Sequence, residues 1–164
     1  MNHYYIQRFV DAQNSPYAGY ETALKEMKNG RKVSHWIWYI FPQLKQLGRS
    51  STAKHYGISG LKEAMEYMKH PLLKERLLEI SNVILKLPGD DPHRLMGFPD
   101  DLKLQSCMTL FTYASDEDVF QKVLDKYYAG KKDSKTVEII QEDIIKEFCE
   151  VEADYENLCG RCYG

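Results

Sequence analysis

The sequence predicts an all-α fold, a compact multi-helical single domain that finishes in a long C-terminal helix. Three observations lead there. Apolar residues recur at three- and four-residue spacing along most of the 164-residue chain, which is the period of one helix face. Prolines, glycines and short polar residues fall where these stripes begin and end, as helix caps require. No two segments read convincingly as strands, and a lone strand would leave its ladder groups unpaired. A chain of this length buries roughly two thirds of the surface it exposes when unfolded, so one core suffices without a disulfide or metal staple.

Tyr5, Phe9 and Ala12 form the first stripe, which Pro16 interrupts, and Tyr20, Leu24 and Met27 form the second, closed by Gly30 in the position of a C-terminal cap. The pair reads as two antiparallel helices. Trp36 to Phe41 is an unbroken apolar run whose period is ambiguous; without a partner strand it is assigned as a helix, with Ser34 as N-cap, Pro42 beyond its end and its neighbours burying it on every side. Within "LGRSSTAKHYG" a short helix is expected, capped by Ser50 or Ser51. Ser59 is the expected N-cap of a helix carrying Leu61, Ala64, Met65 and Met68, which His70-Pro71 ends. Leu73, Leu77, Ile80, Ile84 and Leu87 then mark about four turns. Asp91-Pro92 opens a short helix that Gly97 closes, and Pro99-Asp100-Asp101 opens another with Leu104, Met108 and Phe111. Ser115 and Asp118 resemble a capping box before Phe120, Leu124 and Tyr127, and this helix runs to Gly130. Val137, Ile140, Ile144, Phe148 and Val151 mark the last, long helix.

The 22 basic and 24 acidic side chains leave a formal charge of -2 and a pI near 6.2. No global field favours polyanions, and a nucleic-acid partner is not expected. The longest apolar run falls far short of the ~20 residues of a membrane span, and "MNHYYIQRF" lacks the regions of a signal peptide, so a soluble, cytoplasmic protein is expected. Cys107 lies in an apolar stripe as a small hydrophobe, and the spacing of Cys107, Cys149, Cys159 and Cys162 is not that of a disulfide framework. For "CGRC" at Cys159 and Cys162 a reactive tail is the expectation, because a redox pair needs a strand before it and a helix after it and a zinc site needs four ligands. His35, His55, His70 and His93 show no metal spacing, and neither a metal nor a cofactor is expected.

"RFVDAQ", "SHWIWYIFPQ", "LGRSSTAKHYGI", "HPLLKERL" and "FPDDLKLQSCMTLF", in this order, resemble the motifs of the domain-of-unknown-function 1810 family, small and mainly bacterial proteins of no established activity. The resemblance runs from about Ile6 to Ile140 and implies a compact, mostly helical domain; it carries no catalytic residue and no cofactor. It divides the chain into a helical domain, 1–141, and a C-terminal helix extension and tail, 142–164.

Two polar sets flank the tryptophan run. Gly48, Arg49, Ser50 and Ser51 precede the short helix with Lys54, His55 and Tyr56, an arrangement suited to phosphate or carboxylate, and its bland counterpart is a serine cap beside a solvated arginine. The other set is Arg31, Lys32, Ser34 and His35, whose plain reading is a loop ending in a cap. Asp100, Asp101 and Lys103 open a helix; adjacent carboxylates point in different directions, so at most one faces a given substrate. The expectation is therefore a small-molecule binder or enzyme for a phosphorylated or nucleotide-like ligand, with Arg49, Ser51 and Lys54 holding the anion against Trp36 or Trp38. His35, His55 and Asp101 are its acid-base candidates. The alternative is a protein-interaction module without catalysis, which expects the tyrosines of "HYYIQRF" and "PYAGY" to face solvent. Composition leaves the reaction and the oligomeric state open.

Overall fold

Caps divide the chain much as the sequence predicts. The computed structural model describes residues 4–160, apart from the side chains of residues 159 and 160. Its ten α-helices, counted among the described residues, are α1 (Gln7–Gln13), α2 (Tyr20–Lys28), α3 (Ile37–Ile40), α4 (Ser51–His55), α5 (Leu61–Lys69), α6 (Pro71–Lys86), α7 (Pro92–Met96), α8 (Asp100–Ala114), α9 (Val119–Tyr128) and α10 (Ser134–Gly160). A 3-10 turn, Lys45–Leu47, lies between α3 and α4, and one isolated parallel bridge joins Leu44 to Ile58. The fold is all-α, and α10 is the expected long C-terminal helix. Cys162 and the side chain of Cys159 lie outside the described residues.

Gly30 ends α2 as expected: at φ 77° its N–H donates to the Met27 carbonyl at 2.9 Å while that of Arg31 donates to Glu26 at 3.2 Å, the paired bonds of a Schellman turn. The Asp91 carboxylate accepts from the N–H groups of His93 and Arg94 and opens α7. Three expected caps are corrected. Ser34 does not cap α3, whose N-cap is Trp36, because its N–H and hydroxyl both donate to the stronger acceptor Glu26. The N-cap of α5 is Gly60 rather than Ser59; Glu63, inside the helix, reaches back to accept from the Ser59 N–H at 2.8 Å. Ser115 closes α8, its hydroxyl accepting from Glu117 N–H at 3.1 Å, and Asp118 flanks α9 without a side-chain cap bond.

α8 is the central helix. Leu104, Cys107, Met108, Leu110 and Phe111 are buried on a broad apolar face, with Ser106 and Thr109 buried beside them, and α3, α5, α7, α9 and α10 pack on it. Buried polar residues must be satisfied within the fold; Ser106 and Thr109 donate to the Leu102 and Gln105 carbonyls at 3.1 and 2.8 Å. A second layer forms where α6 packs against α1, α2, α5 and α9. At its carboxyl end the Lys126 ammonium donates to the carbonyls of Leu85 and Leu87, a cation placed where the helix dipole favours one. α10 departs from its expected stripe. Ile139 and Ile140 are sealed in the core, whereas Ile144, Phe148 and Val151 are 48, 65 and 68 % exposed, because the domain covers only the first turns of this helix.

Arg8 and Glu63 form a buried pair at 3.0 Å that ties α1 to α5. The guanidinium also donates to the carbonyls of Tyr5, His55 and Gly57, so its donors are met as fully as burial demands. Replacing one member would strand the other's charge. Glu63→Leu is expected to lower stability by about 3–5 kcal/mol, measured by urea denaturation; a loss below about 1 kcal/mol would mean that water screens the pair.

Candidate functional site

The Glu26 carboxylate, near the end of α2, organises the segment that carries the tryptophans. It accepts from the N–H groups of Val33 and Ser34 and from the Ser34 hydroxyl, each at 2.7 Å, and from the Trp36 indole at 3.0 Å. Burial by itself would raise its pKa; the hydrogen bonds from Ser34, Val33 and Trp36 outweigh burial and hold it below the usual carboxylate value. The loop is thereby folded back on α2, and Trp36 enters the core with 0 % of its surface exposed. Trp36 therefore cannot wall a pocket, a correction to the expected ligand set.

Lys32 is the next link. Its backbone N–H donates to Leu95 O at 2.7 Å, and its ammonium donates to Ser34 O at 2.6 Å. The same ammonium lies 5.0 Å from the Trp36 ring centroid and pairs with Asp100 at 2.8 Å, its side chain only 6 % exposed. On α8, one helical turn from Asp100, Lys103 approaches the other Asp100 oxygen at 3.4 Å and sits 5.3 Å over the Trp38 ring. Two ammonium groups thus share one carboxylate between two indoles. Trp38 is half-buried, and its indole N–H, sealed from solvent, has no acceptor among the described residues.

Asp101 points elsewhere, as the spacing of adjacent carboxylates requires. Its carboxylate lies 3.8 Å from His93 Nδ1, outside hydrogen-bonding distance, and its backbone carbonyl accepts from the Tyr128 hydroxyl at 2.5 Å. The other expected site residues are not brought together. Arg49, Ser51, Lys54, His55 and His35 are all exposed. Ser50 rather than Ser51 caps α4, accepting from Ala53 N–H at 3.1 Å, and the side chains of Arg49 and Lys54 enter no hydrogen bond or ion pair among the described residues. α4 has five residues, too few for a substantial dipole. The His55 ring packs edge-on against Tyr56 at 4.6 Å. The plain reading of this segment, a serine cap beside a solvated arginine, describes what is seen.

Two cavities open elsewhere. One of about 650 Å³ lies between the end of α2, the α6–α7 loop and Tyr127, where Lys28 and Arg94 face Asp90 and Asp91. Burial, then the Asp90 charge, pushes the Tyr127 phenol up to about 12, and its hydroxyl donates to Ile84 O at 2.5 Å. The other, about 300 Å³, separates the start of α5 from α10. Among the described residues no three His, Cys, Asp or Glu side chains are grouped to hold a metal ion, and no helix is long and apolar enough to cross a membrane.

The model of the family described as "Protein of unknown function (DUF1810)" matches residues 3–140, which include every element of the Trp38 cluster. The crystal structure of the conserved hypothetical protein Rv1873 from Mycobacterium tuberculosis is similar at a TM-score of 0.79 with 44 % identity, over 83 % of this chain and 96 % of that one. No curated protein matches the chain significantly.

Because the folded Glu26 has a depressed pKa, its stabilisation is complete above the unfolded value of about 4.3 and is lost as pH falls through the lower folded value. Glu26→Gln, which turns an amide NH₂ toward a set of donors, is expected to cost about 1–3 kcal/mol at pH 7. The gap to wild type should close under acid in a pH series of chemical denaturations; a gap constant down to pH 3 would contradict the assignment.

Proposed function

The chain belongs to the DUF1810 family, and from its geometry we propose that it binds a small molecule bearing a phosphate or carboxylate beside Trp38 and Lys103. The observation that carries this reading is the Trp38 indole N–H, shielded from solvent with no acceptor among the described residues. A buried donor left unmade costs about 1–3 kcal/mol and calls for an explanation; the Ser81 hydroxyl is the other such group among the described residues, and Trp38 is the one with an ammonium group, that of Lys103, over its ring. The nearest charged groups supply more donors: Lys103 over the ring, and Lys32 sharing Asp100 with it. What the cluster lacks is an acceptor, which an anionic oxygen provides.

This reading keeps the expected ligand class and moves its centre. Trp38 remains from the expected ligand set; Lys32 and Lys103 take the place given to Arg49, Ser51 and Lys54. Asp101 faces His93, away from Trp38, so the proposal is of binding and assigns no acid-base step. A second reading, an interaction module, is favoured by Tyr5 and Tyr17, which are 61 and 86 % exposed, although Tyr20 of the same tyrosine-rich segments is buried.

Inorganic phosphate, nucleoside monophosphates, sugar phosphates and dicarboxylates, screened by thermal shift and followed by calorimetry, are the probes. A binder is expected to lose about 1.5–3 kcal/mol of affinity on Lys103→Met, the range of a charged hydrogen bond, and to be unaffected by Arg49→Ala. Trp38→Phe should remove the orphan donor, weaken binding and leave unliganded stability within about 1 kcal/mol. If none of the probes binds, or if Lys103→Met binds a detected ligand as wild type does, the anion reading fails and the interaction module replaces it.

A further inference from the structure

The distal part of α10 carries a stripe that the domain does not cover. Ile144, Phe148, Val151, Tyr155 and Leu158 are 48, 65, 68, 70 and 64 % exposed. They alternate at four- and three-residue spacing, the a and d positions of a heptad seam. Scattered exposed apolar residues are ordinary; five in one seam of one helix form a contiguous surface of the kind that marks contact sites. The seam begins at the cleft between α10 and α5, which Leu61, Met65 and Ile144 line, and the exposed Lys62 pairs there with Glu147 at 2.8 Å. The family match ends at residue 140, and the mycobacterial relative is covered over 96 % of its own length by 83 % of this chain. The seam thus lies beyond the part of the chain that the family model describes.

Charge selects the occupant. Between Gln141 and Leu158 seven carboxylates stand against the single ammonium of Lys146, although the whole chain carries only -2. Glu147 and Asp154 flank the seam on one side and Glu152 on the other. A second copy paired in parallel would set Glu147 against Glu152, and an antiparallel copy would set Glu147 against Asp154; either arrangement opposes like charges. Nucleic acid and anionic lipid surfaces are repelled as well. A helix with an apolar seam and lysines or arginines on its flanks satisfies both features. We propose that α10, from Gln141 to Leu158, docks a basic amphipathic helix of another protein, entered from the α5 cleft. The inference uses none of the Trp38 site and stands or falls independently of it.

The test uses the full chain and two fluorescent three-heptad peptides with leucine at a and d, one carrying lysine and the other glutamate at e and g. The lysine peptide is expected to bind in an anisotropy titration at physiological salt and to weaken at least tenfold at 0.5 M salt, where flanking charges are screened; the glutamate peptide should not bind. Phe148→Ser combined with Tyr155→Ser should weaken the lysine peptide at least tenfold without lowering the melting temperature of the domain. Glu152→Lys with Asp154→Lys leaves the seam intact and should reverse the preference toward the glutamate peptide, which keeps the test decisive if the serine variant loses helix. Absence of binding by wild type, equal binding of the lysine peptide by the serine variant with its helix intact, or an unreversed preference would overturn the proposal. So would a dimer in sedimentation at neutral pH that the serine variant abolishes, since a second copy would then be the occupant.

Discussion

A single carboxylate fixes the geometry on which the tryptophan region depends. Glu26 accepts four hydrogen bonds from three residues of the following loop, and those residues have no local alternative, since the segment between α2 and α3 is neither helix nor strand. Unpaired backbone donors at the edge of a core are costly. Once they are gathered on Glu26, the chain enters α3 with Trp36 already inside, and Lys32 is left lying across its ring toward Asp100. The contact between α3 and α8, and with it the position of Trp38 under Lys103, follows from that anchoring.

Two internal charge clusters show how differently burial can be resolved. Around Arg8 the accounting is closed: one carboxylate and three carbonyls meet the guanidinium, and Glu63 spends its second oxygen on the Ser59 N–H. Such a cluster orders the chain and has nothing left to offer a ligand. Around Asp100 the accounting stays open. Two ammonium groups divide one carboxylate, and the neighbouring indole N–H points at no acceptor among the described residues. Hydrogen-bonding capacity of one kind is left unspent there, in a half-buried place.

Local signals in the sequence account for most of the helices and little of the site. Gly30, Asp91 and Gly97 could be read because a cap is a property of four or five consecutive residues. The apolar face of α8 was legible for its a- and d-like positions, Leu104, Met108 and Phe111. Ser34 and Ser59 misled because a nearby carboxylate, Glu26 or Glu63, accepts their backbone N–H groups instead, and Ser115 because its hydroxyl accepts from Glu117 N–H at the end of α8. The pairing of Lys32 with Asp100 joins residues far apart in the chain and leaves no trace at either end, whereas Asp100 and Lys103 are i,i+3 neighbours on one helix. Arg49, Ser51 and Lys54 illustrate the converse: a polar cluster in sequence became a set of separately solvated side chains.

The formal charge of the chain conceals a division that composition cannot display. Of the 22 cations and 24 carboxylates, the residues after 140 hold two and seven, so residues 1–140 carry a surplus of three positive charges while the extension is acidic. The argument from net charge against polyanionic partners therefore applies to the molecule as a whole and with less force to the helical domain alone. A modest positive field on the domain raises the local concentration of small anions, in keeping with a cluster at Trp38 that has donors to spare. An acidic helix attached to a cationic domain adds a physical constraint of its own: every basic group on the domain's surface competes for α10, as Lys62 does for Glu147. Lys62 and Glu147 are both largely solvent-exposed, and pairs of that kind contribute little. A partner that brings an apolar seam together with its cations therefore displaces them, because Lys62 offers α10 charge alone while Phe148, Val151 and Tyr155 stay uncovered by the domain.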